Sequence, residues 1–132
     1  MTTYLAIDLG AKRSGLAWCT QAGLVEPLPT ADRGALEHVL KTHVLSLEVD
    51  VLVFGLPLRN GKIGEAARKC RRVAYALAEA VDRPLAFVNE AESTDEAKQW
   101  FPSLDKDAAA AALILSRFLA DGPWEPSSGR EG

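Results

Sequence analysis

Asp8 stands inside an apolar run, Tyr4-Leu-Ala-Ile-Asp8-Leu, that is followed at once by Gly10, Lys12 and Arg13. In an extended chain Leu5 and Ile7 project to one side, Ala6 and Asp8 to the other. Such a strand belongs at the centre of a sheet, where a carboxylate without a partner costs several kcal/mol. The strand therefore has to end at a rim that offers a compensating cation. A salt bridge to Lys12 or Arg13 is one solution. A bound metal ion is another, because two further acids occupy comparable places. Glu90 closes the apolar run Pro84-Leu-Ala-Phe-Val88, and Asp107 opens an alanine-rich helix. Three carboxylates at the ends of separate elements, Asp8, Glu90 and Asp107, form the oxygen donor set of a hard divalent cation, Mg2+ or Mn2+.

Each acid also has a simpler reading. Asp107 in a first helical turn favours the macrodipole by a few tenths to about 1 kcal/mol. However, positions 107, 111, 114, 115 and 118 share one helix face, so Asp107 lines up with Ala111, Ile114, Leu115 and Phe118 although Asp105 stands nearby. Glu90 fits a polar strand end, with Asn89 and Glu92 as its competitors. His38 and His43 are spaced i, i+5 on one predicted helix, a poor arrangement for a shared ligand, and read as surface residues.

The pattern around these acids predicts an α/β domain. Residues 3–9, 15–20 and 24–28 read as three strands joined by short turns, hence an antiparallel meander. Pro27 and Pro29 lack the N–H that a ladder needs and place the third strand at an edge. A helix is predicted from Thr30 or Asp32 to about Leu47, on the stripe Leu36, Val39, Leu40, Val44 and Leu47. Val49 to Phe54 is apolar almost throughout and suits a strand buried on both faces. Residues 55–61 read as a loop. From Ile63 to Val81 the apolar positions fall on one helical face. Residues 84–88 read as a fifth strand, 93–100 as a short helix and 104–120 as the last helix. Strands 4 and 5 follow crossover helices and are expected to be parallel, giving a five-stranded mixed sheet flanked by helices. Residues 1–120 form one domain in this reading, and 121–132, rich in Gly and Pro, a disordered tail.

Composition narrows the function classes. In 132 residues, 48% hydrophobic and 25% charged, no apolar run approaches the roughly 20 residues that span a bilayer. No signal-like segment opens the chain, and Cys19 and Cys70 are isolated, so a cytoplasmic protein with reduced thiols is expected. The net charge is −3, yet residues 59–72 hold Arg59, Lys62, Arg68, Lys69, Arg71 and Arg72 against Glu65 alone. That segment carries +5 and the rest of the chain −8. A concentrated basic patch on an acidic protein suits a localised polyanionic partner. Gly10 and Gly15 frame a turn in which Lys12, Arg13 and the backbone approach a phosphate, and Gly61 and Gly64 lie similarly near Arg59 and Lys62. Neither turn matches the phosphate-loop pattern.

Four segments taken in order, LAIDLGAKRSGLA, FGLPLRNGK, VNEAEST and DKDAAAAALIL, resemble the YqgF/RuvX family of Holliday-junction resolvases in the ribonuclease H-like superfamily. The likeness covers about residues 3–120. It implies a ribonuclease H-like fold, a nuclease that cuts phosphodiester bonds with Mg2+ or Mn2+, and a link to 5′ maturation of pre-16S ribosomal RNA. Carried over by position, the metal-binding and catalytic acids are Asp8, Glu90 and Asp107. Nucleic-acid contacts are expected from Lys12, Arg13, Arg59, Lys62, Arg68, Lys69, Arg71 and Arg72. The third segment departs from the family pattern: Asn89 stands where the family has aspartate, and Ala91 where it has arginine. The partner is then nucleic acid, as branched or single-stranded DNA or precursor rRNA, with no membrane. Two cuts at a junction require two sites, hence a homodimer or two monomers. The competing readings are a nucleic-acid-binding or ribosome-assembly factor with weakened catalysis, and an actin-like ATPase, which would need a second domain.

Overall fold

The computed structural model describes residues 1–90 and 93–125, with the side chains of residues 93–95 excepted. Strands β1 (Thr3–Leu9), β2 (Arg13–Thr20) and β3 (Glu26–Asp32) come first. After a single 3-10 turn (Arg33–Ala35) follow α1 (Leu36–Ser46), β4 (Val51–Leu56), α2 (Glu65–Val81), β5 (Leu85–Asn89), α3 (Ser93–Trp100) and α4 (Lys106–Asp121). The five strands make one sheet in the order β3-β2-β1-β4-β5. β1–β2 and β2–β3 are antiparallel; β1–β4 and β4–β5 are parallel. This is the expected mixed sheet, with the proline-bearing β3 at one edge and β1 at the centre.

Helices cover both faces, and the two faces are packed differently. On one, Leu5, Ile7, Leu16, Leu52, Phe54 and Phe87 meet Leu36, Leu40 and Val44 of α1 and Ala74, Leu77 and Val81 of α2. Burying a large apolar side chain of this kind stabilises the fold by roughly 1.5–3 kcal/mol. On the other face the sheet is nearly bare of bulk. Ala6, Ala17, Cys19, Val53 and Val88 pack against Ala111, Ala112, Ile114 and Leu115 of α4. Ala97 of α3 closes over Ala109 and Leu113 from outside. Small residues on both partners let α4 lie close on the sheet, which explains the alanine run that opens the helix.

Several boundaries differ from the sequence reading. β3 begins two residues later and runs on to Asp32, so the chain turns through Arg33–Ala35 before α1 starts. Asp32 precedes that turn without a side-chain cap and pairs with Arg13 as the last residue of β3. β4 starts at Val51 and includes Gly55 and Leu56, which the sequence pattern alone assigns to a loop. The sheet continues there because β5 supplies a partner that the local sequence does not reveal: Gly55 pairs with Val88 and Leu56 with Asn89. At the far end α4 reaches Asp121, and the Trp124 N–H donates to the Phe87 carbonyl at 2.7 Å. Trp124 is thereby tied to β5, and residues 126–132 lie outside the described residues. Cys19 and Cys70 are free thiols. Among the described residues no helix is long and apolar enough to cross a membrane.

Candidate active site

The parallel strands β1, β4 and β5 end together, and open sheets of this kind bind ligands beyond their carboxyl ends. A cleft of about 570 Å³ opens there, lined among others by Asp8, Gly10, Arg33, Lys69, Cys70 and Glu90. Asp8 is the penultimate residue of the central strand β1. Glu90 follows the final residue of β5, its N–H donating to the Leu56 carbonyl at 2.8 Å. β4 lies between the two strands, so the carboxyl of Glu90 has to pass over β4 to reach Asp8. It does so at Gly55, where a Cβ would collide with Oε1 of Glu90 and with Cδ1 of Ile114. A missing side chain on the intervening strand thus brings together two acids that lie 82 positions apart along the chain.

The carboxyl groups of Glu90 and Asp8 share a hydrogen bond. Burial pushes the Glu90 pKa up, to about 10, reinforced by the hydrogen bond and the charge of Asp8 and opposed by Arg117. Like charges this close in a buried place cannot both ionise without a counter-ion. The same surroundings hold the Cys70 thiol at about 12, chiefly through burial, then through the charges of Glu90 and Asp8. Cys70 donates instead to the Gly55 carbonyl, with Sγ at 3.4 Å.

Asp107 is nearby but turned aside. Its backbone carbonyl rests on Gly15, where a Cβ would overlap the oxygen, and Gly15 faces Asp8 in the β1–β2 register. Gly15 also coincides with an irregularity in the β2–β3 pairing, a feature that recurs beside functional sites. Gly15 is therefore not part of a phosphate-binding turn, as its spacing from Gly10 suggests. It is a strand residue that seats the N-terminus of α4. Asp105 caps α4, accepting from the Ala108 N–H at 2.9 Å, which frees Asp107 for another role. The Asp107 Oδ2 lies 3.5 Å from Nε of Arg13, whose side chain is mostly exposed. The salt bridge to Arg13 that was one alternative for Asp8 is made by Asp107 instead. Among the described residues no three of Asp, Glu, His and Cys gather tightly enough to form a finished metal centre.

The donor set nevertheless fits a divalent cation. Asp8 and Glu90 offer only oxygen, the ligand type that hard divalent cations prefer. Asp107 pairs with Arg13 at 3.5 Å, an ion pair exposed on the arginine side and largely covered on the aspartate side.

The cations divide. Lys69 alone of the 59–72 patch lines the cleft. Arg59 and Lys62 close a tight turn before α2 through paired backbone bonds of 2.9 and 2.8 Å. Arg68 and Arg72 are exposed one helical turn apart, and Arg71 is half-buried. Lys12 is exposed on the turn after β1. Sequence reasoning missed Arg33, which lines the cleft and donates from Nη1 to the Gly10 carbonyl at 2.6 Å. It also missed Gly55 and Arg117. None has a local signal, since each acts through a contact with a distant strand. Glu92 and Ala91 lie outside the described residues.

The comparisons with known proteins agree with this architecture. A family model described as "RuvX: Holliday junction resolvase" matches residues 2–121. Two Synechococcus proteins, from strains CC9902 and CC9605, carry the name "Putative pre-16S rRNA nuclease". Each is 42% identical to this chain over 131 residues, covering 92% of it and 80% and 83% of their own lengths. The Thermus thermophilus RuvC structure superposes with a TM-score of 0.58 at 13% identity, over 95% of this chain and 99% of that one, a likeness of fold. The sheet order, the position of the acids and a family match across nearly the whole described chain lead to one conclusion: the protein belongs to the RuvX family.

Proposed function

We propose that this chain is a divalent-metal-dependent nuclease that hydrolyses phosphodiester bonds in nucleic acid. The observation that carries the reading is the Asp8–Glu90 carboxyl pair, assembled over Gly55 at the floor of an open cleft. Asp8 and Glu90 would hold Mg2+ or Mn2+, and Asp107 would join them once Arg13 turns to the substrate. A cation so held supplies charge for a developing phosphoryl oxyanion and lowers the pKa of bound water. The chain's own residues do the rest. Lys69 from one wall and Arg33 from the other present positive charge to the strand entering the cleft. Arg13 and Lys12, on the turn that Arg33 braces, meet its backbone at the rim. Arg59 and Lys62 on the turn before α2 and Arg68 and Arg72 on α2 extend the same positive field, with Arg71 contributing from its partly buried position.

Precursor 16S rRNA and branched DNA are the two substrate classes that this reading admits, the first from the names of the relatives and the second from the family description. The deciding experiment is cleavage of a matched set (four-way junction, duplex, single-stranded DNA, pre-16S-type RNA) with Mg2+ and with Mn2+. Asp8→Asn serves as the inactive control. Cleavage that persists in Asp8→Asn removes Asp8 from the chemistry.

A second reading, a nucleic-acid-binding factor without turnover, is favoured by one observation: the Asp107 carboxylate is paired with Arg13. It predicts salt-sensitive binding with no product on any substrate in either metal.

A further inference from the structure

Arg117 lies on α4 about three turns beyond Asp107. Its Nη1 donates to the Asn89 carbonyl at 2.7 Å. Its Nη2 pairs with Oε1 of Glu96 on α3. Asn89 ends β5 and directly precedes Glu90. One guanidinium thus grips the stretch carrying Glu90 on both sides, at the carbonyl just before it and at the helix that follows. The anchor for this grip is α4, the helix that also carries Asp107. The path of Glu90 over Gly55 leaves little room for error, since Oε1 already occupies the space of the absent Cβ. A small shift of the backbone at Asn89 would withdraw the carboxyl from Asp8. The Arg117 side chain is only 26% exposed, while its partner Glu96 is 43% exposed.

We propose that Arg117 is a positioning residue for the Asp8–Glu90 cation site, holding the Asn89 carbonyl and Glu96 so that Glu90 reaches Asp8. This rests on the metal-site reading given under Proposed function. The planar fork of arginine serves two acceptors at fixed angles, which a lysine ammonium does not reproduce. Groups that orient a metal ligand typically change affinity 10–100-fold when removed.

The test is a Mn2+ titration of the full chain without nucleic acid, with free Mn2+ followed by electron paramagnetic resonance, beside metal-free melting temperatures. Arg117→Met is expected to weaken Mn2+ binding at least about tenfold, and Arg117→Lys to fall between it and the wild type. Phe118→Leu is the control for general damage to α4, because Phe118 packs edge-on to Tyr4 with ring centroids 5.0 Å apart. It should lower the melting temperature while leaving Mn2+ affinity within about twofold, well inside the 10–100-fold range. Unchanged affinity in Arg117→Met overturns the proposal, and so does an equal loss in Phe118→Leu. If Asp8→Asn binds Mn2+ as the wild type does, the metal-site reading itself fails and this one falls with it. Wild-type affinity in Arg117→Met, alongside lost binding in Asp8→Asn, refutes the role of Arg117 alone.

Discussion

The carbonyl of Asp107 rests directly on Gly15, and Gly15 is the residue that faces Asp8 across the β1–β2 pair. The N-terminus of α4 is therefore placed against the central acid by the absence of one side chain. The other close approach, Glu90 over Gly55, works in the same way. Two glycines on neighbouring strands of Asp8 make room for the two remaining acids.

Gly15→Ala is accordingly expected to push α4 off the sheet. Overpacking of this kind costs about 1–3 kcal/mol. Urea denaturation should show that loss, and cleavage should drop more than the stability change explains because Asp107 moves with its helix. An alanine at this position with wild-type cleavage would show that the seat is not needed.

Gly55→Ala addresses the other acid. The added methyl meets the end of a glutamate side chain and the tip of Ile114, both of which can swing away. The fold should survive with modest destabilisation, while Glu90 loses its route to Asp8. Strongly reduced cleavage, and loss of the Mn2+-induced rise in melting temperature, are the expected results.

The raised pKa of Glu90 makes stability depend on pH. Its ordinary value is 4.5 and its folded value about 10, so folding takes up a proton between those limits. The contribution of the neutral carboxyl is complete below about 4.5 and disappears as the pH rises toward about 10. Metal-free protein should lose stability across that window, at no more than about 1.4 kcal/mol per pH unit. Urea midpoints between pH 5 and pH 9, taken as roughly the accessible range, measure it. Glu90→Gln should flatten the slope, and Mg2+ should stabilise the protein more at the alkaline end. A midpoint independent of pH in the wild type contradicts the buried pair.

Cys70 lines the cleft beside the two acids, yet its thiol is held at about 12 and stays protonated at neutral pH. A thiolate is required for nucleophilic reaction. Cys70→Ala should therefore keep cleavage near the wild-type level, and alkylation of Cys70 near pH 7 should be far slower than that of a free thiol.

Lys69 is the member of the basic patch that faces the cleft, so Lys69→Gln should remove a phosphate contact. The log–log dependence of binding on salt should fall by about 0.7 for single strands or about 0.9 for duplex, measured in the Asp8→Asn background to prevent cleavage. An unchanged slope places Lys69 outside the interface.

Much of this site was legible in the chain. Asp8, Glu90 and Asp107 stand out in the sequence because an acid at the end of an apolar element contradicts the local pattern, and the structure puts Asp8 and Glu90 together at the ends of β1 and β5. Asp107 was singled out over Asp105 by helical spacing, and the structure gives Asp105 the capping bond instead. The element order and the edge position of β3 followed from periodicity and from Pro27 and Pro29. What escaped were contacts made at a distance: Arg33 on the Gly10 carbonyl, Arg117 on Asn89, and Gly55 beneath Glu90. A glycine in a strand looks the same whether it eases a turn or clears a path for a carboxylate from another strand.

By itself the sequence determined which residues are chemically out of place, because burial of a charge is costly wherever the chain goes. It also determined the alternation of strands and helices, because side-chain direction repeats locally. Only the tertiary structure decided how the acids meet. It joined Asp8 to Glu90 across β4, gave the Asp107 carboxylate to Arg13, and left Lys69 as the one cation of its patch inside the cleft. Such pairings depend on strand order, register and the distance at which a helix packs, and these are properties of the assembled sheet rather than of any segment in it.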